Sequence, residues 1–489
     1  MNYFSKCASR VAAGIFAAAF ALSLAPVGQA QSAVQAAGDS SASASSAAPA
    51  KNTQQQLDDL QKEMAALEQQ IAALRAQQDA APKVEAASFV QTPAAAPADN
   101  KVNLAGLLGP ITLSGTGDVY YGYDYNHPIN GIDPATPFTA ATNGFGLNLA
   151  EFILDKAPDA TSSDSRFGYH FAAGYGQAAR AVNGSDIFGD SSQFYIKEAY
   201  ASYLAPLGKG LTFTVGKFVT PIGNEVIETN GNWNYTRGLL FYNAIPYFHF
   251  GASAKYTWNP KASATFYLVN GWNNSGIDHN NFTTQSSGLT YGMSLALTPN
   301  AKWSVTENYF AGPVQDNEVC NFEVTTTNCT SLNDWKQLSD TVISYTPNAK
   351  WAFALNGDYG FGPHAWNCTT AKNCVTVGKQ ATWWGVAPYA KYAFNPKSYF
   401  AVRYEYYGDP EGYTLLGGVI NPADATHLQE FTSTYSYNVT GALQVRAEYR
   451  YDYASRQFFQ TGSDANSARK EQNTATLGFI YSFSSANAK

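Results

Sequence analysis

Charged residues are scarce in this chain of 489 residues. Asp, Glu, Lys and Arg make up 14% of it, against about 25% in a typical soluble domain. The formal net charge of −7 offers no basic surface for nucleic acid. After the first 30 residues, the chain also lacks the run of about 18 apolar residues that a membrane-spanning helix needs. These absences argue against an ordinary soluble domain, a nucleic-acid-binding protein and a helical membrane protein.

The N-terminus predicts export from the cytoplasm. Lys6 and Arg10 precede an apolar run over residues 11–25, and a small-residue site follows at residues 28–30. This order is that of a secretory signal peptide, which we predict over residues 1–30. Cys7 lies within it and is expected to leave with it. Because only helices and closed barrels satisfy all backbone groups in lipid, an exported chain without an apolar helix can span a membrane only as a β-barrel.

Tyrosine and glycine are abundant, with 32 and 40 residues, and aromatic residues reach 14%. The segment 472–483 alternates strictly, with small or polar residues on one side. Its other side carries Ala475, Leu477, Phe479, Tyr481 and Phe483. A period of two is that of a strand, here with one face suited to lipid and one to water. The pattern favours a transmembrane barrel, and a tyrosine-rich soluble β-sandwich is the alternative.

The connections between candidate strands alternate between short and long. From residue 111 onward we count 16 candidate strands, and the short connections are rich in Pro, Asn and Gly. The turn sequence at residues 298–303 recurs at residues 346–351. Bacterial barrels have short periplasmic turns and long outer loops. The sequence therefore predicts an all-β fold: an antiparallel transmembrane barrel of about 16 strands over residues 109–483. A short stub, residues 484–489, follows the last strand.

The region before the barrel has three predicted parts. Residues 31–55 form a flexible linker, residues 56–79 a short periplasmic coiled coil, and residues 80–108 an Ala/Pro-rich linker. The coiled coil is predicted from a heptad seam of apolar residues. The seam consists of Leu57, Leu60, Met64, Leu67, Ile71 and Leu74. A single amphipathic helix is the alternative. A coiled coil on the periplasmic side could contact the cell wall.

Several strands carry charges on one face only. In Leu443 to Tyr453, aromatic and aliphatic residues alternate with charged ones. An arginine facing lipid at mid-depth costs about 2 to 4 kcal/mol, so these charges are expected to line a wet interior. The predicted wall residues are Lys217, Lys255, Arg403, Glu405, Arg446, Glu448, Arg450 and Asp452.

The longest internal connection, residues 220–248, is rich in aromatic residues and glycine and contains Glu225, Glu228 and Arg237. In a barrel wide enough to hold a channel, we expect such a loop to fold inward and narrow the bore. Its acids would then face Lys217, Arg446 and Arg450 across the narrow zone and help to select what passes. The alternative is an outward loop packed on a neighbouring subunit.

A family resemblance rests on this region. Residues 216–225 read GKFVTPIGNE, and they are followed by Asn234-Tyr-Thr-Arg237, Ile245-Pro246 and His249-Phe-Gly251. This series resembles the signature of the OmpL-like β-barrel porins. The resemblance implies an outer-membrane channel, and the substrates of that family are mostly unassigned.

Four cysteines remain after removal of the signal peptide, and they are neighbours in predicted outer loops. We expect two local disulfides, Cys320 with Cys329 and Cys368 with Cys374, because the cell envelope is oxidising. Metal ligation is the rival, but neither spacing matches a zinc motif.

The leading hypothesis is a bacterial outer-membrane porin that allows passive diffusion of small hydrophilic solutes or ions. We expect contact with outer-membrane lipid, a homotrimeric assembly, and no cofactor, metal or nucleic acid. Two alternatives belong to other classes. One is a structural anchor that tethers the envelope through the coiled coil. The other is a barrel enzyme that uses His249 or His170 with a nearby serine, although the chain lacks a nucleophile-elbow motif.

Overall fold

The computed structural model describes residues 109, 111–133, 135–185, 192–275, 289–313, 329–330, 335–370, 373–415, 424–462 and 467–487. The predicted signal peptide, both linkers and the coiled coil lie outside these residues. In the described part of the chain, no helix is long and apolar enough to cross a membrane.

The described residues form one sheet of 16 long antiparallel strands, joined by the two-residue strand Cys329–Thr330. The long strands are β1 Thr112–Asp124, β2 Gly144–Lys156, β3 Phe167–Tyr175, β4 Phe194–Ala205, β5 Leu211–Val219, β6 Phe248–Asn259, β7 Ala262–Val269, β8 Thr290–Asn300, β9 Trp303–Pro313, β10 Trp335–Tyr345, β11 Trp351–Thr370, β12 Asn373–Asn395, β13 Ser398–Asp409, β14 Thr426–Asn438, β15 Leu443–Ala454 and β16 Glu471–Ser484. Each strand pairs with its neighbours in sequence, and β1 also pairs with β16 from Ser114 opposite Ser484 onward. The barrel is therefore closed, and the predicted fold class and strand number are confirmed.

Short helices lie in the connections and after the last strand. They are α1 Gln177–Asn183 and α2 Leu239–Asn243, together with the 3₁₀ turns Ile129–Gly131, Pro137–Thr139, Asp164–Arg166, Thr229–Gly231 and Ser485–Asn487. Phe459–Gln460 and Ala468–Arg469 form a separate two-stranded ribbon between β15 and β16.

The two faces of the barrel differ in the way that the sequence predicts. In β15, Tyr449 exposes 43% of its surface, whereas Arg450 on the opposite face exposes 1%. Near the short turns, aromatic rings pack across neighbouring strands. The ring centres of Trp303 and Tyr345 are 4.2 Å apart, and those of Trp351 and Tyr392 are 4.7 Å apart. A belt of this kind marks a membrane–water boundary.

Glu307 is an exception on the outer face. It shares a side of β9 with the exposed Trp303 and Tyr309. The hydroxyls of Ser339 and Thr341 on β10 donate to its carboxylate at 2.9 and 2.5 Å. These bonds satisfy an acidic group that would otherwise meet apolar surroundings without a partner.

Candidate functional site

The connection between β5 and β6, residues 220–247, is held together by its own side chains; we call it the β5–β6 loop. It leaves β5 at Pro221, which cannot donate to the sheet. Gly223 follows with a φ of +91°, and a Cβ there would lie 2.7 Å from Ile245 on the returning arm. Asn232 closes the middle of the loop, because its amide accepts from the N–H of Val226 at 2.9 Å and donates to the Val226 carbonyl at 2.8 Å. The loop is thus a folded unit.

Apolar side chains of the loop are buried against the barrel. Ile222, Ile227, Leu239, Leu240, Phe241 and Ile245 each expose at most 6% of their surface. Phe138, from the β1–β2 connection, packs edge-on against Phe241 with ring centres 5.3 Å apart. The indole N–H of Trp383 on β12 donates to the carbonyl of Ala244 at 3.1 Å. These contacts bury the apolar side chains of the loop and join it to another connection and to the wall.

Arg403 on β13 links the loop to the wall. Its guanidinium donates to both oxygens of Glu430 on β14, at 2.9 and 2.6 Å. It also donates to Glu225 of the loop at 2.5 Å and to the carbonyl of Thr236 at 2.7 Å. Arg403 exposes none of its surface and Glu430 only 1%. A paired geometry of this kind is the usual way in which a protein keeps charges buried.

Arg450 on β15 extends this network. It donates to Asp452 at 2.7 Å, lies 3.2 Å from Glu430, and donates to the carbonyl of Arg237 in the loop at 2.6 Å. Arg237 in turn donates to the carbonyls of Tyr235, at 3.1 Å, and Ile227. The network therefore contains both wall side chains and loop backbone.

A second set of wall charges bonds the loop backbone directly. Arg446 donates to the carbonyls of Thr229 and Asn234, each at 2.9 Å. Glu448 accepts from the backbone N–H of Thr236 at 2.9 Å and from its hydroxyl at 2.6 Å. The hydroxyl of Tyr235 donates to Asp118 on β1 at 2.6 Å. Arg446 and Glu448 lie on β15, and Asp118 lies on β1. The loop is therefore bonded to strands on both sides of the pairing between β1 and β16.

Two acids bond the start of α2. Glu225 accepts from the N–H of Gly238 at 2.6 Å, and Glu405 on β13 accepts from the N–H of Leu239. The first N–H groups of a helix have no partner within the helix, so these carboxylates satisfy them.

Lys197 on β4 forms a third attachment point. Its ammonium lies 3.1 Å from Glu151 on β2 and contacts Glu228 of the loop. Burial alone would raise the pKa of Glu228, but the charge of Lys197 and the hydrogen bonds to the carboxylate together hold this pKa below its ordinary value. Nearby in the loop, burial raises the pKa of Tyr242 to about 12, so its phenol remains neutral.

The predicted wall charges therefore do not all face open water. Eight of the predicted residues expose at most 7% of their surface: Glu225, Arg237, Arg403, Glu405, Arg446, Glu448, Arg450 and Asp452. Glu225 and Arg237 belong to the loop itself. The wall residues differ from the expectation because five of them bond the loop, whereas Asp452 bonds Arg450. The residues that sequence reasoning missed in this cluster are Lys197, Glu151 and Glu430. The sequence signal for Glu430 was that it is the single acidic residue in a strand with small polar inward neighbours.

Lys217 and Lys255 lie elsewhere. Lys217 shares a side of β5 with the exposed Phe213 and Val215, and its ammonium is 4.0 Å from the centre of the Phe248 ring. The sequence predicted that Lys217 lies on the inner wall and faces the loop acids, whereas in the structure it is on the outer side of β5. Lys255 is half-buried and is on the opposite side of β6 from the exposed Phe250, which makes it inward-facing.

Lys255 belongs to a wall of inward-facing residues, the others of which bear hydroxyls. This wall is formed by half-buried inward positions on β5, β6, β7 and β9, and we call it the hydroxyl wall. Its members are Thr212, Thr214, Ser253, Lys255, Thr265, Ser304 and Thr306. Thr212 and Thr265 are the direct cross-strand neighbours of Lys255. The hydroxyl wall differs from the β13–β15 side because its side chains keep part of their surface accessible. The alternation Thr212-x-Thr214 was its signal in the sequence.

The histidines named for an enzyme are held by packing. His249 is fully buried, stacks on Phe310 with ring centres 4.8 Å apart, and has Thr220 Oγ1 as a neighbour at 3.2 Å. His170 lies 2.8 Å from Asp155 and stacks on Tyr200. Neither arrangement includes a serine in the contacts described. Among the described residues, no group of three or more His, Cys, Asp or Glu is arranged to hold a metal ion.

The predicted disulfides are only partly within the described residues. Cys320 lies outside them. Cys368 and Cys374 are direct register partners in the hairpin of β11 and β12. Residues directly opposite each other in an antiparallel pair have Cα atoms about 4.5 to 5.5 Å apart, a separation that a disulfide can bridge.

Comparison with known proteins adds the family. The model of the family described as "Putative beta-barrel porin-2, OmpL-like" matches residues 110–483. No curated protein sequence matches the chain. Similar solved structures include the anion-selective porin from Comamonas acidovorans, with 12% identity, a TM-score of 0.49, and coverage of 76% of this chain and 99% of that one. The outer-membrane channel DcaP of Acinetobacter baumannii has 11% identity, a TM-score of 0.48, and coverage of 76% and 97%.

OmpT of Vibrio cholerae, in its trimer form, has 11% identity, a TM-score of 0.46, and coverage of 76% and 99%. The family match extends over most of the chain and includes every barrel strand up to the last residues of β16. It agrees with the closed 16-stranded barrel and places the protein in the bacterial outer membrane. The chain belongs to the OmpL-like β-barrel porin family.

Proposed function

We propose that the protein is a porin through which small hydrophilic solutes or ions diffuse passively, and that the β5–β6 loop narrows the bore. The observation that carries this proposal is the attachment of the loop to inward-facing side chains on several strands. Arg403, Arg446 and Glu448 bond its backbone or its acids from one side. Lys197 on β4 contacts Glu228 of the loop from another part of the wall. A loop held at these points would occupy part of the cross-section.

The buried charges would hold the loop in place rather than guide solutes. A charge that is neutralised by partners and shielded from water has little influence on an ion in the bore. We therefore expect permeating solutes to contact the hydroxyl wall. Its hydroxyls can replace water around a polar solute, and Lys255 is its one charged member. A weak preference for anions follows from this arrangement.

Liposome swelling tests the proposed function. Vesicles containing the full chain should swell in isosmotic solutions of small sugars, and the rate should fall steeply as the sugar grows. Circular dichroism must first confirm a β-rich, inserted protein. An inserted protein that gives no swelling with any sugar would refute the porin proposal and favour the structural anchor.

We also propose that the chain assembles as a homotrimer. OmpT of Vibrio cholerae has a trimer form, and we propose the same assembly for the present chain. Chemical cross-linking in mild detergent should give bands that contain one, two or three cross-linked chains and no larger species. A distribution that stops at one chain at every protein concentration would contradict it.

A further inference from the structure

One rim of the barrel carries a row of lysines. Five consecutive short turns, from the β4–β5 turn to the β12–β13 turn, each hold one exposed lysine and no acidic residue. These lysines are Lys209, Lys261, Lys302, Lys350 and Lys397. We call them the lysine arc.

Four of the five turns use the same local structure. An asparagine two residues before each lysine accepts its backbone N–H: the distance is 2.8 Å for Lys261 and Lys397 and 2.9 Å for Lys302 and Lys350. Such a bond is the usual way in which asparagine forms a tight turn. The repeated Asn-x-Lys sequence therefore places each lysine at the same position of its turn.

The four turns are also tied to one another at a regular spacing. The carbonyl of Lys261 accepts from the N–H of Thr298, and that of Lys302 accepts from Thr346, each at 2.8 Å. The carbonyls of Lys350 and Lys397 accept from Ala393 and Asn438 at 2.7 Å. Each turn is thus bonded to the next hairpin. Successive lysines are two strands apart, or about 10 Å along the rim.

Exposed aromatic residues adjoin the lysine arc. Trp303 and Trp351 directly follow Lys302 and Lys350, and they expose 37% and 41% of their surface. The ammonium of Lys209 donates to the carbonyl of Trp258 at 2.6 Å, and Trp258 exposes 46%. Tryptophan with an exposed ring favours the membrane interface. The lysines therefore lie close to the level of the lipid headgroups.

The rest of the same rim is different. The β2–β3 connection contains Asp159 and Asp164 beside Arg166. The β14–β15 turn, residues 439–442, contains no charged residue. Positive charge is therefore concentrated on one side of the barrel, over β4 to β13.

We propose that the lysine arc binds the phosphate groups of anionic phospholipids in the periplasmic leaflet of the outer membrane. The short turns belong to the periplasmic side, as in other bacterial barrels. Clustered lysines beside a membrane attract anionic headgroups, and the uninterrupted charge complements a row of phosphates. The turns are too short to project the lysines far beyond the headgroups. This inference depends on insertion in the membrane and not on conductance.

The test compares two triple variants of the full chain in detergent. K261Q/K302Q/K350Q removes the centre of the arc, whereas R180Q/R469Q/K470Q removes three exposed charges near the long loops. Native mass spectrometry counts phosphatidylglycerol and phosphatidylcholine molecules that remain bound. Since each lysine near an anionic surface contributes on the order of a fivefold change in affinity, the first variant should lose most of its preference for phosphatidylglycerol. The second should keep it.

Three results would overturn the proposal. The first is an unchanged phosphatidylglycerol preference in K261Q/K302Q/K350Q, provided that circular dichroism shows the barrel intact. The second is an equal loss in both triple variants. The third is a loss of binding to purified cell-wall sacculi in K261Q/K302Q/K350Q while its phospholipid binding is unchanged, which would assign the arc to an acidic polymer. Excess inorganic phosphate should displace little phosphatidylglycerol, since a lipid is also held by its acyl chains.

Discussion

Removal of the Arg403 charge should release the β5–β6 loop from the wall. Arg403 is the only residue described here that joins Glu225 of the loop to Glu430 of the wall through one guanidinium. In Arg403→Gln, both carboxylates keep their burial but lose their shared partner. The carbonyl of Thr236 loses a charged donor as well.

The expected free-energy cost of Arg403→Gln follows from the burial of the ion pairs that Arg403 forms. Removal of one member of a buried ion pair typically costs about 3 to 5 kcal/mol, because the partner charge stays buried. The lower end of this range applies here, since Arg450 still lies 3.2 Å from Glu430. If about 3 kcal/mol falls on loop docking, the ratio of attached to released loop decreases by a factor of roughly 10². The barrel ladders are unaffected, so we expect local release rather than global unfolding.

Hydrogen exchange measures this directly. The amides of Thr236, Gly238 and Leu239 donate to Glu448, Glu225 and Glu405 and are protected when the loop is attached. In Arg403→Gln, their exchange should accelerate by about the same factor, and single-channel currents should become larger and noisier.

Lys255→Gln is the matched control, since it removes the same charge from the hydroxyl wall. It should leave loop exchange unchanged and shift the reversal potential towards cations. Loop amides that exchange at the wild-type rate in Arg403→Gln would refute the reasoning, as would equal acceleration in Lys255→Gln.

Three further predictions concern other parts of the molecule. A Cβ at Gly478 would lie 2.1 Å from the Tyr235 ring, so Gly478→Ala should displace that ring and raise loop exchange, whereas exchange at the wild-type rate would argue against this packing. The pKa of Glu228 is lowered in the folded state, so its pairing stabilises the loop above the ordinary value of about 4.3 and is lost as the pH falls through the lower folded pKa. Loop exchange should therefore rise on acidification below about pH 4, and this rise should be absent in Glu228→Gln. If Cys368 and Cys374 form the proposed disulfide, mass spectrometry of a non-reduced digest should show their peptides joined, and finding both as free thiols would exclude the bond.

The strand pattern could be predicted because it is local. The alternation of Tyr449 and Arg450 reports directly which side meets lipid and which does not, and Pro, Asn and Gly mark the turns. The strand number follows from the same local information, whereas closure follows from the requirement that every backbone group in lipid be paired.

The candidate site could be predicted only in part. Inward orientation of Arg403 follows from its strand, but its partner Glu225 is 178 residues away in sequence. Alternation distinguishes the inner from the outer face but not a wet interior from one covered by a loop. For this reason, the sequence singled out Arg446 and Arg450 as water-facing residues, whereas the loop covers them.

Glu307 and Lys217 show another limit. Both are charged, and both share a strand face with exposed apolar residues. Glu307 is satisfied by two hydroxyls on the neighbouring strand, and Lys217 lies against an aromatic ring. Local charge alone therefore does not fix the side on which a residue lies.

The most direct test of the proposed channel is single-channel recording of the full chain in planar lipid bilayers, with a series of sugars of increasing size. We expect discrete conductance steps that small sugars reduce and that sugars above a cutoff leave unchanged. A protein that inserts with its β-structure intact but produces no steps at any voltage would contradict this expectation.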